Sequence, residues 1–510
     1  MKRFLREIHP AVWAMSAALF FFHLLVSAVT EYGIFRDELY YIACAKRLAW
    51  GYVDQPPLSI ALLALNRLIL GDSLVALRFL PSLVMSVVVV MAALLAKRLG
   101  GGRRAQMLAA LGVVASPLYI GSGNYFSMNV FDIFFWAALF LLVLDLLQTG
   151  NRRRWLTVGI VAGLGMMNKY SVGFMLFGLV VGLLVTPARR LLASRWLAAG
   201  AAAGAIIFLP HVLWEVQTGW PTLEFIRHAQ MYKIAEMNVW QFFTAQLIEM
   251  NPLSLLLWGP GLIWLLVLPS GRPYRAFGVM YVAVFLIFIL QKAKAYYLGP
   301  AYPILFAAGG VALEQIASYA RWRWAPAVAA AAITLATVII LPFSVPLLPV
   351  ERFVAYSRWI GIQPPQEERH RFGVLPQHFA DRFGWKEMAD TIGSVYQKLT
   401  PHERSVCAVF VDNYGEAGAL EFYGARSGIT RVLSGHNNYW LWGPGDATGE
   451  VIIVLGGDLE STQREFERVD VAGEVTCAYC MPYESNLTIY VCRGLKRPLK
   501  ELWPRLKAFG

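Results

Sequence analysis

Apolar runs of bilayer length recur along the first two-thirds of the chain, and most of the polar breaks between them carry Lys and Arg at every second turn. A helical span needs roughly 20 apolar residues. On that measure the pattern predicts spans near residues 11–30, 74–96, 105–121, 129–147, 197–210, 252–268, 276–290, 298–313 and 325–341. One further apolar tract lies between Arg152-Arg153-Arg154 and Arg189-Arg190 and is interrupted by Asn168-Lys169-Tyr170-Ser171. A single crossing there would put the two Arg clusters on opposite faces, against the bias of Lys and Arg toward the cytoplasm. Two short spans keep both clusters inside and bring Lys169 to the outer face. The expectation is a multi-pass α-helical membrane protein of about eleven spans.

Lys2, Arg3 and Arg6 ahead of the first span put the N-terminus in the cytoplasm, and no small-residue cleavage site follows, so that segment reads as a retained signal anchor. The loop at residues 31–73 is then outside, and its apolar stretch 58–70, too short to span, is expected to lie along the interface. A second long outer loop, residues 211–251, is rich in Trp, Glu, His and Lys and is a candidate lid. After about residue 346 charges return and apolar runs shrink to strand length: 406–411 and 451–455 read as buried strands, and 385–399 has helical spacing. The chain therefore divides into a membrane domain, 1–345, and a soluble α/β domain, 346–510, on the outer face. No internal repeat is visible.

Composition agrees with this division and narrows the function classes. Of 510 residues, 57% are hydrophobic and 15% charged, which excludes an ordinary soluble globule of this size. The net charge of +12 does not indicate nucleic acid, because the Lys and Arg sit in short clusters between apolar segments. Four of the five cysteines, Cys407, Cys477, Cys480 and Cys492, fall in the outer domain, where disulfides are compatible with an oxidising compartment; Cys44 is in the first loop. The spacing of Cys477 and Cys480 is that of a redox motif, but with Cys407 and Cys492 near in sequence a structural role is preferred.

Candidate chemistry begins at Asp37 and Glu38, adjacent carboxylates directly after the first span, where an ionisable group is costly unless paired or used. A cap on a short helix would be the plain structural use. Three other polar groups fall on the same face of the membrane: Asp132 with Asn129, Lys169, and Lys292 with Lys294 beside Tyr296 and Tyr297. Each has a plain use too: the lysines can snorkel to the interface, the tyrosines can form an aromatic belt, and Asp132 can join two helices. Taken together, one acidic centre and dispersed cations beside an apolar surface suit a lipid-linked phosphate donor. A carboxylate can take a proton from an acceptor hydroxyl, and Lys can hold the phosphate leaving group. Asp37, Glu38 and Asp132 could also hold a divalent metal, so metal dependence stays open. No phosphate-cradling glycine loop or serine nucleophile motif is present.

The acidic pair with its following tyrosines, Asp37-Glu38-Leu39-Tyr40-Tyr41, and the later Asp54-Gln55-Pro56-Pro57-Leu58 resemble glycosyltransferase family 39 and its bacterial relatives, the protein O-mannosyltransferase and lipid A aminoarabinose transferase group of GT-C fold. Further likenesses are Phe126-Ser127-Met128-Asn129-Val130-Phe131-Asp132, Gly163 to Tyr170, Lys294 to Pro303, and, in the outer domain, Asn413 to Ala419 and Ser434 to Pro444. The resemblance implies transfer of a sugar from a polyprenyl-phosphate (undecaprenyl-phosphate) donor to a lipid, glycan or protein acceptor, outside a bacterial inner membrane, by inverting displacement. Of the catalytic carboxylates Asp37, Glu38 and Asp132, Asp37 would be the general base, Glu38 would support it, and Asp132 would be the acidic residue that the second outer loop often supplies. Tyr40, Tyr41, Gln55 and Asn129 would contact substrate, as would Lys169, Lys292, Lys294, Tyr296 and Tyr297. The aminoarabinose transferases have Lys before the first-loop proline where this chain has Gln55, which leaves the phosphate to Lys169 or Lys294. Two rivals from other classes stand beside this reading: a transporter or lipid flippase, and a scaffold whose outer domain binds glycan or protein.

Overall fold

A computed structural model describes residues 7–233, 237–361 and 373–510, with the side chains of 232 and 233 left aside. Lys2, Arg3 and Arg6 lie outside the described residues, as do parts of the expected lid and of the segment leading into the outer domain. Seven helical segments among the described residues are long and apolar enough to cross a membrane: Pro10–Val29, Leu74–Arg98, Met128–Thr149, Arg195–Thr218, Pro269–Leu290, Ala295–Ile316 and Ala320–Ser344. Four shorter apolar helices accompany them, Leu58–Leu70, Arg154–Met166, Ser171–Leu184 and Pro252–Leu266. The expected count of eleven is thus resolved into seven full-length candidates and shorter pieces. At about 1.5 Å per residue, a 13-residue helix covers only about two-thirds of the hydrocarbon thickness.

Local chemistry explains most boundaries. Pro10 opens the first helix at a position whose N–H would be unpaired in any case, and the His9 side chain accepts from Ala11 N at 3.2 Å. Ser73 caps Leu74–Arg98 through Ala76 N, and Lys97 and Arg98 complete its last turn, where cations meet the negative end of the helix dipole. Met128–Thr149 stops at Gly150, whose φ of 65° is left-handed. The stretch expected as one span at 105–121 is broken into Arg103–Val114 and Pro117–Ser122, because Pro117 cannot donate to the preceding turn. The carbonyl of Ala115 freed there accepts from Asn251 Nδ2 at 3.3 Å.

The centre of the bundle is the Ala295–Ile316 segment, 89% buried, beside Leu74–Arg98; Arg195–Thr218, 11% buried, is at the periphery. That peripheral helix is held by backbone approach. A Cβ at Gly159 would lie 1.9 Å from Gly200 O, and one at Gly163 would lie 2.8 Å from Gly204 Cα, so two glycine pairs at i, i+4 spacing interlock.

One segment corrects the expectation. Residues 211–251 are not a long irregular loop: Arg195–Thr218 runs on past Pro210, and Pro221–His228 and Val239–Glu249 follow as helices. His211 and Glu215, whose polarity suggested a loop, lie 3.8 Å apart on one helix face and are buried there with Tyr170 and Thr222. A polar residue satisfied within the protein does not interrupt a helix.

The C-terminal part of the chain carries a five-stranded sheet in the order β2-β1-β3-β5-β4, with β1 Cys407–Phe410, β2 Val432–Leu433, β3 Val451–Leu455, β4 Phe466–Val475 and β5 Leu487–Leu495. β1 is parallel to β2 and β3, while β5 runs antiparallel to β3 and β4. The expected strands and the helix Trp385–Lys398 are present. Cys407 and Cys492 sit on β1 and β5 with β3 between them, and all five cysteines are free. One continuous apolar core runs from the membrane helices through the first loop into this sheet.

Candidate active site

The first-loop helix Arg36–Ala45 starts with its two carboxylates in the first turn, where the helix dipole favours negative charge. Successive residues on a helix point about 100° apart, and the two acids part company. Glu38 is fully buried. It accepts from Phe35 N at 2.9 Å, from Phe126 N at 2.8 Å and from the guanidinium of buried Arg78 at 3.2 Å. Asp37 is half-buried, and its Oδ1 accepts from the hydroxyl of Tyr414 at 2.9 Å. Arg382 packs behind the ion pair and donates to Asn124 Oδ1 at 3.2 Å; burial, and then the charge of Arg78, push it down to about 9.

Lys169 is placed by the break between Arg154–Met166 and Ser171–Leu184, which sets it against the N-terminal end of Met128–Thr149. Its Nζ donates to Asn129 Oδ1 at 2.6 Å and stands 3.9 Å from Asp132 Oδ2. The rings of Tyr297 and Tyr296 lie 4.7 and 5.3 Å away, within cation–π range. Buried Asp132 also accepts from Ser171 Oγ, which Trp136 Nε1 holds at 3.2 Å. The ammonium is therefore positioned chiefly by a neutral amide and two aromatic faces, with one carboxylate at longer range.

Asp54 lies between these two clusters. Its Oδ1 accepts from Tyr40 OH at 3.1 Å, and its charge reaches Tyr41 and Tyr414 on one side and Tyr170 on the other. The chain itself also joins them: Leu58 N donates to Met167 O at 2.9 Å, tying the first loop to the turn that carries Lys169. Tyr170 OH meets His211 Nε2 at 2.5 Å, and His211 Nδ1 faces Trp50 O at 2.9 Å.

The sequence-predicted residues therefore separate into groups. Asn129, Asp132, Lys169, Tyr296 and Tyr297 come together. Asp37, Tyr40 and Tyr41 form a second group on the first-loop helix, where burial, followed by the charge of Asp54, raises both phenols. Gln55 is buried in a tight turn with Tyr52, and its Nε2 finds no hydrogen-bond partner among the described residues. Lys292 is exposed with φ 51°, and Lys294 is half-buried at the start of Ala295–Ala301. Glu38 is enclosed by its partners rather than open to a substrate. Among the described residues no group of three or more His, Cys, Asp or Glu could hold a metal; Asp37, Glu38 and Asp132 each have separate partners.

Sequence reasoning missed Asp54, Tyr414 and Asn438. Asn438 Oδ1 accepts from Tyr40 OH at 2.9 Å and Val53 N at 2.8 Å. A signal was available for Tyr414: Asn413 is a helix cap, and Gly415 and Gly418 at i, i+3 spacing mark a helix face that something approaches closely.

Known proteins resemble this chain in sequence over part of its length and in fold over most of it. A family model described as dolichyl-phosphate-mannose-protein mannosyltransferase matches residues 54–214. The lipid A galacturonosyltransferase RgtD of Rhizobium johnstonii is 27% identical over 226 residues, which cover 43% of this chain and 47% of that protein. The chain thus matches about half the length of this curated relative. The crystal structure of ArnT from Cupriavidus metallidurans bound to undecaprenyl phosphate superposes with a TM-score of 0.60 at 15% identity, over 94% of this chain and 97% of that one. Its apo state gives 0.59 at 16% identity over the same shares. These two establish the fold over nearly the whole chain, the C-terminal sheet included. Helix order and the C-terminal sheet domain give the chain the same fold as the ArnT structures, and residues 54–214 are similar to the dolichyl-phosphate-mannose-protein mannosyltransferase family model.

Proposed function

We propose that this chain is an integral-membrane glycosyltransferase that moves a sugar from a polyprenyl-phosphate donor to a lipid, glycan or protein acceptor. The observation that carries the reading is a half-exposed carboxylate, Asp37, in one cluster and, in the other, a cation, Lys169, whose close oxygen partner is the neutral Asn129. Such a cation has charge to offer a phosphate. Asp37 accepts the proton of the acceptor hydroxyl as its oxygen attacks the anomeric carbon. The bond from that carbon to the phosphate oxygen breaks, and the polyprenyl phosphate leaves with its new charge facing Lys169. Attack opposite the leaving group inverts the anomeric centre and requires no covalent enzyme intermediate. Asp132 and Asn129 orient Lys169; Glu38 holds the first-loop helix in place through Arg78 rather than touching substrate.

The relatives support the donor class: one is named for galacturonosyl transfer to lipid A, and the ArnT structure holds undecaprenyl phosphate. Neither gives support to a transporter. The basic inner turns favour an orientation with residues 346–510 and both clusters outside a bacterial inner membrane. The test is purified protein in vesicles with a polyprenyl-phosphate sugar and candidate acceptors. Sugar transferred to an acceptor, with free polyprenyl phosphate released in equal amount, is the expected result. Donor that crosses the bilayer with no covalent change would overturn the reading in favour of transport.

A further inference from the structure

The outer domain does not simply rest on the membrane part. Its helix Tyr414–Tyr423 lies directly on the first-loop helix Arg36–Ala45, and the approach is between backbones. A Cβ added at Gly418 would lie 2.8 Å from the carbonyl carbon of Leu39, and one at Gly415 would lie 2.6 Å from Arg36 Cγ. Asn413 fixes the start of the outer helix by accepting from Gly415 N at 2.8 Å and Glu416 N at 3.1 Å. This contact delivers one polar side chain onto the acid pair. Tyr414, 9% exposed, reaches Asp37 Oδ1 at 2.9 Å. Its ring is gripped on several sides: Tyr40 at 4.8 Å, His436 at 4.9 Å, and the guanidinium of Arg36 at 4.6 Å. A phenol so confined has one direction in which to point.

We propose that Tyr414 is a positioning residue for Asp37, so that the outer domain completes the catalytic centre by fixing one carboxylate oxygen and leaving the other for the acceptor hydroxyl. The proposal rests on the reading of Asp37 as the base. The hydroxyl is a permanent donor, because burial, and then the charge of Asp37, hold the Tyr414 phenol well above its ordinary value. The charged and titratable groups around the pair are Tyr40, Tyr41 and Arg36 on the first-loop helix, Asp54 beyond it, and Asp381 and His436 from the outer domain. Removing a donor from a carboxylate disfavours its charged form. A hydrogen bond to a charged group is among the stronger ones, and its loss should be readable in the rate.

The experiment compares the pH dependence of sugar transfer by the wild type, Tyr414→Phe and Asp37→Asn in full-length reconstituted protein. Tyr414→Phe keeps the ring and deletes one oxygen. The expected result is a fall in kcat of roughly tenfold, an acid limb of kcat/KM moved to higher pH by about one unit, and a donor KM unchanged. If Tyr414→Phe is lost from the membrane, Gly418→Ala, which pushes the two helices apart, should give the same displaced limb. A pH profile superimposable on the wild type overturns the proposal while Asp37→Asn remains inactive. Full activity in Asp37→Asn would instead remove the base reading and the proposal with it. A role in packing alone would lower the yield of folded protein without moving the limb.

Discussion

Asp37 and Glu38 are neighbours in sequence, and one helical step separates their physical roles. Glu38 faces inward, where Arg78 and two backbone amides occupy its oxygens; Asp37 faces the outer domain and stays half-exposed. Substitutions should separate them. Arg78→Met leaves a buried carboxylate without its counterion, which costs about 3–5 kcal/mol and should show as a clearly lower thermal midpoint in detergent. Asp37→Asn should change that midpoint little while abolishing transfer. At Lys169, replacement by Met removes the charge proposed to meet the leaving phosphate and keeps the length of the side chain. Transfer assays with that variant should show kcat/KM for the donor lowered by roughly ten- to a hundredfold; an unaltered value would shift the phosphate to another cation.

At the scale of elements, the helices were readable because apolar length is a direct physical requirement of the bilayer. Pro10–Val29, Leu74–Arg98 and Met128–Thr149 fall within a few residues of expectation, and the break that places Lys169 follows from the polar interruption at Asn168-Lys169-Tyr170-Ser171 and the flanking Arg clusters. The helices of 211–251 were not readable, since a sequence does not say that His211 and Glu215 will be satisfied by Tyr170 and Thr222. The glycine pairs 159/163 and 200/204 were visible as letters, but their partnership across two helices was not. The turn that carries Cys477 and Cys480 gives a test of its own. Hydrogen bonding with Cys480 brings the Cys477 thiol down to about 7, while that same bond and burial raise Cys480. Alkylation followed by mass spectrometry should therefore label Cys477 first, at a rate that climbs through about pH 7 as the thiolate forms, with Cys480 lagging. Equal labelling of both would contradict that geometry.

In the whole molecule, the C-terminal domain and the first loop share one core, and a bond between residues 377 positions apart, Asp37 to Tyr414, joins them. That distance explains why the carboxylate could be identified from the sequence and its partner could not. Asp37 stands out because charge at a membrane edge is costly; Tyr414 is an ordinary tyrosine until the fold brings Gly415 and Gly418 against the loop. The same holds for Asp54, which the sequence shows only as part of the Asp54-Gln55-Pro56-Pro57-Leu58 stretch and which lies between the two clusters of the site. The central claim, that sugar transfer depends on the Asp37 carboxylate, is tested most directly by the single-turnover rate of Asp37→Asn in vesicles loaded with a polyprenyl-phosphate sugar and acceptor. The expected rate is lower than wild type by a factor on the order of 10²–10⁴, with folded protein and donor binding retained; transfer at the wild-type rate would contradict the account.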